Sequence, residues 1–394
     1  MSNGKKLVTG LRILSLYVKI QGNNSVQDCA IRSSLLVLMP LKRRNGESMK
    51  KWKYLLAVLA LASLSACGSE TAGTANIDKA MKSVEAADYE AALTQFKTAE
   101  EQGEDPLLLY RGEGITYMSM GDYTTAIDKF KKALTYGSHK ITNVECDITY
   151  YLAAAQFKSG DATAAVQTYS NLLKVKKNND DAYYMRGVAY LSLGNIKDAR
   201  KDFDKTISLE SDNYQRYINI FNVCNEYEQP EVGRAYLENA LKTLPKDKYY
   251  EKGLFYYYLE NYESAKLELT EAVSNGRNEA VLYLGKTHQA LGDMDYAAQL
   301  YQQYISEVAD DGDAYNQLGL CKLASGDYES ALTSFQNGIK TGDAAWMQDL
   351  MFNEVIAYEY LAEFATAKDK MQTYLSAYPD DAEALQEYEF LKTR

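Results

Sequence analysis

Two histidines, five cysteines and a scatter of carboxylates are the residues that could carry chemistry in this 394-residue chain. His139 and His288 could act as a general base or a metal ligand, yet neither belongs to an H-E-x-x-H pattern, and both read as structural or solvated. Asp310-Asp311-Gly312-Asp313 offers the oxygen donors calcium favours but lacks the spaced ligand set of an EF-hand loop. Arg111-Gly112-Glu113-Gly114 contains a G-x-G with neither a third glycine nor a preceding strand, so it reads as a close-packing feature of a helix. Cys146, Cys224 and Cys321 lie too far apart along a repeat array to bond one another; as free thiols they point to a reducing setting or to burial. None of these patterns makes a catalytic or metal centre, and no cofactor is expected.

Cys67 is different because of what precedes it. From Met49 the sequence reads MKKWKYLLAVLALASLSACGSE, with three lysines ahead of an uncharged run from Tyr54 to Ala66. Thirteen residues are too few to span a bilayer as a helix, but they suit the core of a signal peptide. Leu64-Ser65-Ala66-Cys67 resembles the lipobox of bacterial lipoproteins. That resemblance implies cleavage before Cys67 and a lipid on its thiol. Each buried methylene adds about 0.8 kcal/mol, so two or more long acyl chains would hold the chain on a membrane. Residues 1–48 then stand ahead of the signal and are expected to be an upstream extension, with Met49 the initiator. Residues 49–66 are the signal peptide, and 67–76 a lipidated flexible tether.

Charge narrows the partner. The first 66 residues hold 11 Lys/Arg against 2 Asp/Glu, leaving 32 against 52 in the remainder, a net of −20. Nucleic acid is disfavoured, since its binding rests on neutralising phosphates with Lys/Arg. A neutral or basic protein partner fits better than an acidic one.

The rest of the chain repeats. A small residue, a bulky apolar one four later and another small or apolar one seven later recur as Ala92/Phe96/Ala99, Ala126/Phe130/Ala133, Ala165/Tyr169/Leu172 and Ala199/Phe203/Thr206. The series continues as Gly233/Leu237/Ala240, Ala265/Leu269/Ala272, Ala297/Tyr301/Tyr304, Ala331/Phe335/Gly338 and Ala367/Met371/Tyr374. Spacings of four and seven share one helical face, and small members let another helix approach. Upstream of each triplet lies a second helix, marked by Tyr110/Gly114/Tyr117, Tyr183/Gly187/Tyr190 or Tyr315/Leu318/Gly319. Gly121-Asp122, Gly160-Asp161, Gly194-Asn195, Gly292-Asp293 and Gly326-Asp327 supply a turn glycine and then a cap. Asp180-Asp181-Ala182, Gly312-Asp313-Ala314, Gly342-Asp343-Ala344 and Asp380-Asp381-Ala382 are expected to start helices, with Pro106, Pro245 and Pro379 marking where others have ended.

A period near 34, the Tyr/Gly/Tyr helix and the Ala/Phe/Ala helix together resemble the tetratricopeptide repeat family over residues 77–381, in about nine copies. The early tryptophan of the family is absent from every copy. The fifth copy departs furthest, with Phe221, Cys224 and Gly233 at signature positions. The resemblance implies an all-α fold, a right-handed superhelical solenoid of antiparallel helix pairs with first helices lining the concave side. Residues 382–394 are expected to cap it, with Leu385, Tyr388 and Leu391 over the last repeat.

Carried copy by copy, the family's ligand-facing positions fall on Arg111, Ile115 and Met118, then Tyr150, Ala154 and Phe157, then Tyr184, Val188 and Leu191. Asn222 and Asn225 follow, then Tyr250, Leu254 and Tyr257, then Lys286 and Gln289. The Lys/Asn clamp by which some members hold chaperone tails is not reproduced, since Arg111 stands with Ile115 and Tyr184 with Val188. The resulting expectation is a membrane-anchored, extracytoplasmic scaffold that binds protein or peptide partners at the bacterial envelope and is not an enzyme. Two rivals are a peptide-sensing regulator, which would need a helix-turn-helix partner, and an enzyme using carboxylates in the groove.

Overall fold

Every member of the nine triplets is buried, which fixes one face of every second helix. The structure, a computed structural model, describes residues 73–137 and 142–394. The readings placed on residues 1–72, including the Met49 start, the signal segment and Cys67, lie outside the described residues, as does His139. Among the described residues there are nineteen α-helices and no strand.

The first hairpin joins α1 (Ala75–Glu85) to α2 (Tyr89–Glu101). Then α3 (Pro106–Met120) pairs with α4 (Tyr123–Thr135), α5 (Asn143–Lys158) with α6 (Ala162–Val175), and α7 (Asp180–Ser192) with α8 (Ile196–Leu209). Next come α9 (Tyr214–Glu226) and α10 (Pro230–Thr243), then α11 (Tyr249–Tyr258) with α12 (Tyr262–Ser274). α13 (Ala280–Ala290) pairs with α14 (Met294–Glu307), α15 (Gly312–Ala324) with α16 (Tyr328–Lys340), and α17 (Met347–Tyr360) with α18 (Phe364–Ala377), before α19 (Ala382–Leu391). The described residues form two compact units, one ending at Gly233 and the other running from Arg234 to Arg394.

Within a hairpin, a glycine of the first helix admits a ring from the second. A Cβ on Gly187 would stand 2.6 Å from Phe203, and one on Gly319 would stand 2.3 Å from Phe335. The fifth copy departs from this arrangement. Phe221 occupies the first-helix position, and the small residue is Gly233 of α10, where a Cβ would meet the Phe221 carbonyl oxygen at 2.9 Å.

The hairpin turns carry their helix caps as expected. Gly121 has φ +83°, and Asp122 accepts a hydrogen bond from the Thr125 amide at 3.0 Å. Four hairpins make the same turn without glycine, with Ala87, Glu228, Glu260 and Ala362 at φ near +60°. Such a residue carries about 1–2 kcal/mol of steric cost.

The expected helix starts hold at Asp180, Gly312 and Ala382, although the capping residue is not always the expected one, and the start expected at Gly342-Asp343-Ala344 is not found. Asp180 and Asp181 lie inside α7, whose cap is Asn179, accepting from the Ala182 amide at 2.8 Å. Asp311 rather than Asp313 caps α15. Asp343 accepts from the Ala345 amide in a turn, and α17 begins later, at Met347. Only Asp381 caps its helix as read. α1 starts at Ala75, two residues before the expected boundary, because the Glu104 carboxylate accepts from the amides of Asn76 and Ile77 at 2.9 and 3.0 Å. On α19 the inward residues are Ala384 and Leu391, with Tyr388 partly buried; Leu385 is exposed, so it does not cover the last repeat.

Candidate interaction face

The expected ligand-facing residues all fall on odd-numbered helices: α3, α5, α7 and α9 in the first unit, α11 and α13 in the second. Within each unit, successive odd-numbered helices touch: α1, α3 and α5 in the first, and α11 through α17 in the second. Each unit thus gathers its share of these residues on one row of helices, and most of them are engaged by their own neighbours.

In the first unit, Arg111 Nε donates to Asp147 Oδ2 at 2.6 Å, tying α3 to α5. Ile115, Met118, Ala154, Phe157, Val188 and Leu191 are buried. Tyr184 is fully buried, tilted against Phe203, with the Arg216 guanidinium 4.6 Å from its ring centre. Tyr150 is half-buried, edge-on to Tyr169 at 5.5 Å. Asn222 is half-buried and Asn225 exposed.

In the second unit, Tyr250 is half-buried beneath the Arg277 guanidinium, 5.2 Å from its ring centre, and burial pushes its hydroxyl up to about 12. Leu254 is buried, and Tyr257 lies in a cluster with Tyr258, Tyr262 and Tyr283. Lys286 Nζ donates to Asp313 Oδ2 at 2.6 Å, and Gln289 accepts from the Tyr301 hydroxyl at 2.6 Å. Arg111, Tyr150, Asn222, Asn225 and Tyr250 therefore keep the most accessible surface of the set.

Sequence reasoning placed Lys286 on this row but missed Arg216 and the pairings that tie successive helices together. Arg216 of α9 bonds Asp180 at 3.1 Å and also Asp181, bridging to α7. Lys286 pairs with Asp313, and Asn353 donates to Asn316 at 2.9 Å, joining α15 to α17. A signal for Arg216 was present: it stands 34 residues after Ala182, at a position where later copies carry Ala280 and Ala314. Charge at a position that is otherwise small requires an ionic partner. Burial and the neighbouring Asp181 raise the Asp180 carboxyl above its ordinary range.

The candidates for chemistry stay apart. His288 Nδ1 lies 3.2 Å from Asp293 Oδ2, with its ring against Tyr296. Cys146, Cys224 and Cys321 are free thiols, and burial pushes Cys224 and Cys321 up to about 12, far from reactive thiolates. Among the described residues no group of His, Cys, Asp and Glu could hold a metal ion, and no helix is long and apolar enough to cross a membrane.

The same features connect the chain to known proteins. Family models described as TPR repeat and tetratricopeptide repeat match residues 153–194, 180–213, 250–314 and 284–347. Yeast Tom70, a solved structure, aligns with a TM-score of 0.53 at 14% identity, covering 91% of this chain and 73% of that one, a likeness of fold alone. FK506-binding protein 59 of Drosophila melanogaster is 26% identical over 136 residues, 33% of this chain and 31% of its own length. Tetratricopeptide repeat protein 13 of Homo sapiens is 26% identical over 186 residues, 45% of this chain and 21% of its own length. The chain thus spans less than a third of either curated relative. Tetratricopeptide repeats are detected within residues 153–213 and 250–347, and the fold is that of an all-α solenoid of helical hairpins.

Proposed function

We propose that the chain is a lipid-anchored scaffold that holds a protein or peptide partner at the outer face of a bacterial membrane, in envelope assembly or secretion. The observation that carries the binding half is that, within each unit, odd-numbered helices bear candidate residues with accessible surface: Tyr150, Asn222 and Asn225 in the first and Tyr250 in the second. Tyrosine joins apolar area to a hydroxyl at little conformational cost, which suits recognition. The anchoring half rests on the Leu64-Ser65-Ala66-Cys67 motif behind its basic and apolar segments. A neutral or basic partner is favoured by charge, since residues 234–394 hold 14 Lys/Arg against 27 Asp/Glu, a net of −13.

Crosslinking in intact envelopes, followed by capture of the full chain, tests the binding half. Partners captured by the native chain should be lost from Asn225→Ala or from Tyr250→Ala, positions that keep accessible surface in the first and second units respectively. An unchanged partner set would overturn the assignment. Metabolic labelling with a fatty-acid precursor tests the anchor. Label should enter the native chain and not Cys67→Ser, and an unlabelled native chain would sink that half.

A further inference from the structure

Within the first unit, odd-numbered helices begin and even-numbered helices end along one edge, and several contacts hold that edge together. The Glu104 carboxylate, beyond the end of α2, accepts from the amides of Asn76 and Ile77, and the Asp105 amide donates to the Gly73 carbonyl at 3.1 Å. Tyr136, just after α4, stacks on Tyr110 of α3 with ring centres 5.7 Å apart. Lys176 Nζ, just after α6, donates to Asn143 Oδ1 of α5 at 3.4 Å. Gly73 is thus pinned to the junction between α2 and α3. Cys67 precedes it by six residues, which fully extended reach about 20 Å. The helices of this unit are themselves about 20 Å long, so the edge of the hairpin turns stands that much farther from Cys67. A lipid on Cys67 would hold the edge that carries Gly73 beside the bilayer.

What that edge exposes fits a lipid surface. Tyr136 and Val175, 49% and 52% exposed, are the most exposed large apolar residues among those described in this unit, and they stand at the ends of successive even-numbered helices. Lys131, Lys132, Lys174 and Lys177 flank them and are exposed. Lys174 bonds the neutral Asn171 at 3.0 Å, and Lys132 Nζ lies 3.9 Å from the Tyr110 ring centre, so these charges are left for an outside partner. Carboxylates at the same helix ends are mostly engaged: Asp147 by Arg111, Asp180 and Asp181 by Arg216, and Glu145 by the Thr142 amide at 2.7 Å. Because the chain beyond residue 66 carries a net of −20, anionic lipid repels most of its surface and admits only such a basic patch. Lysines draw a protein onto anionic headgroups, tyrosine favours the interfacial level, and a basic patch reinforces a lipid anchor. We propose that this edge of the first unit seats on anionic lipid, with Tyr136 and Val175 among the headgroups and the four lysines against their phosphates. The proposal rests on the lipid-anchor reading above and gives it an orientation.

The test takes the full chain purified from native membranes and returned to vesicles, with lysines acetylated by a water-soluble ester and read by mass spectrometry. On vesicles of phosphatidylcholine with phosphatidylglycerol, Lys131, Lys132, Lys174 and Lys177 should react roughly fivefold more slowly than in neutral detergent, the effect of the ordinary attraction of one lysine to an anionic surface. Lys82 and Lys197, exposed at the edge of the hairpin turns, should react alike in both. In Lys131→Glu/Lys177→Glu, Lys132 and Lys174 should lose their protection while the urea midpoint holds, since both substituted side chains are exposed. Equal protection on pure phosphatidylcholine, or protection of Lys197 as strong as that of Lys174, would overturn the assignment. A chain that floats with the vesicles yet labels everywhere as in detergent sinks the seated edge and leaves the anchor standing. A chain that does not float with them sinks both.

Discussion

Lys286 of α13 and Asp313 of α15 form an ion pair at 2.6 Å with side chains only 3% and 0% exposed, linking the first helices of adjacent hairpins. Gln317 joins it, donating to Asp313 Oδ1 at 3.2 Å. A buried pair gains little over an apolar isostere, but breaking it strands a charge. Lys286→Met alone should therefore destabilise the protein by about 3–5 kcal/mol. Lys286→Met/Asp313→Leu should recover most of that loss. Urea unfolding of the two variants and the native chain measures both terms, and equal losses would mean that the pair itself contributes the stability.

The left-handed turns without glycine give a test of opposite sign. Glu260 and Ala362 hold φ +61° at positions where Gly292 and Gly326 serve other hairpins. Removing the Cβ relieves about 1–2 kcal/mol of steric cost, partly offset by the freedom glycine adds to the unfolded chain. Glu260→Gly and Ala362→Gly should each stabilise by about 0.5–1 kcal/mol in urea unfolding, an unusual result for a substitution to glycine. Gly292→Ala should move the other way by a similar amount.

The repeat was legible because its residues obey one period and one physical demand: Ala331, Phe335 and Gly338 must share a buried face, and Gly319 must admit the Phe335 ring. Local spacing in the chain encodes such contacts. The ion pairs Arg216–Asp180 and Lys286–Asp313 join residues 36 and 27 positions apart, and no local pattern separates them from helix caps. Asp180-Asp181 and Gly312-Asp313 read as helix starts, which they are, and nothing local shows that their carboxylates also pair with a distant cation. The accessibility of the candidate residues was readable only as a set: family positions placed Arg111, Tyr150 and Tyr250 on first helices, where they keep some accessible surface, while burial of Met118, Phe157 and Leu191 depends on how neighbours fill around them.

Close packing at Gly319 supplies a third prediction. A Cβ there would lie 2.3 Å from Phe335 Cε1, and the ring is itself fully buried. Gly319→Ala should cost about 1–3 kcal/mol despite alanine's better helix propensity, because the ring has no room to withdraw. Gly319→Ala combined with Phe335→Leu should cost less than the sum of the single changes, which a double-mutant cycle in urea would register.

Glu226 and Lys158, at the C-terminal ends of α9 and α5, predict a pH dependence. Burial pushes the Glu226 carboxyl up to about 8, with Lys158 opposing the shift, and burial pushes Lys158 well below its ordinary value. Glu226 Oε1 is shielded and unpaired. A carboxyl raised on folding binds its proton more tightly in the native state, so its contribution is fully present below the unfolded pKa near 4.5. That contribution is lost as pH rises towards 8, since the unfolded chain ionises first. Glu226→Gln removes the titration. Relative to Glu226→Gln, the native chain should therefore lose stability between pH 5 and pH 8. Urea midpoints of both proteins across that range measure the difference, and parallel curves would mean that Glu226 ionises alike in the folded and unfolded states.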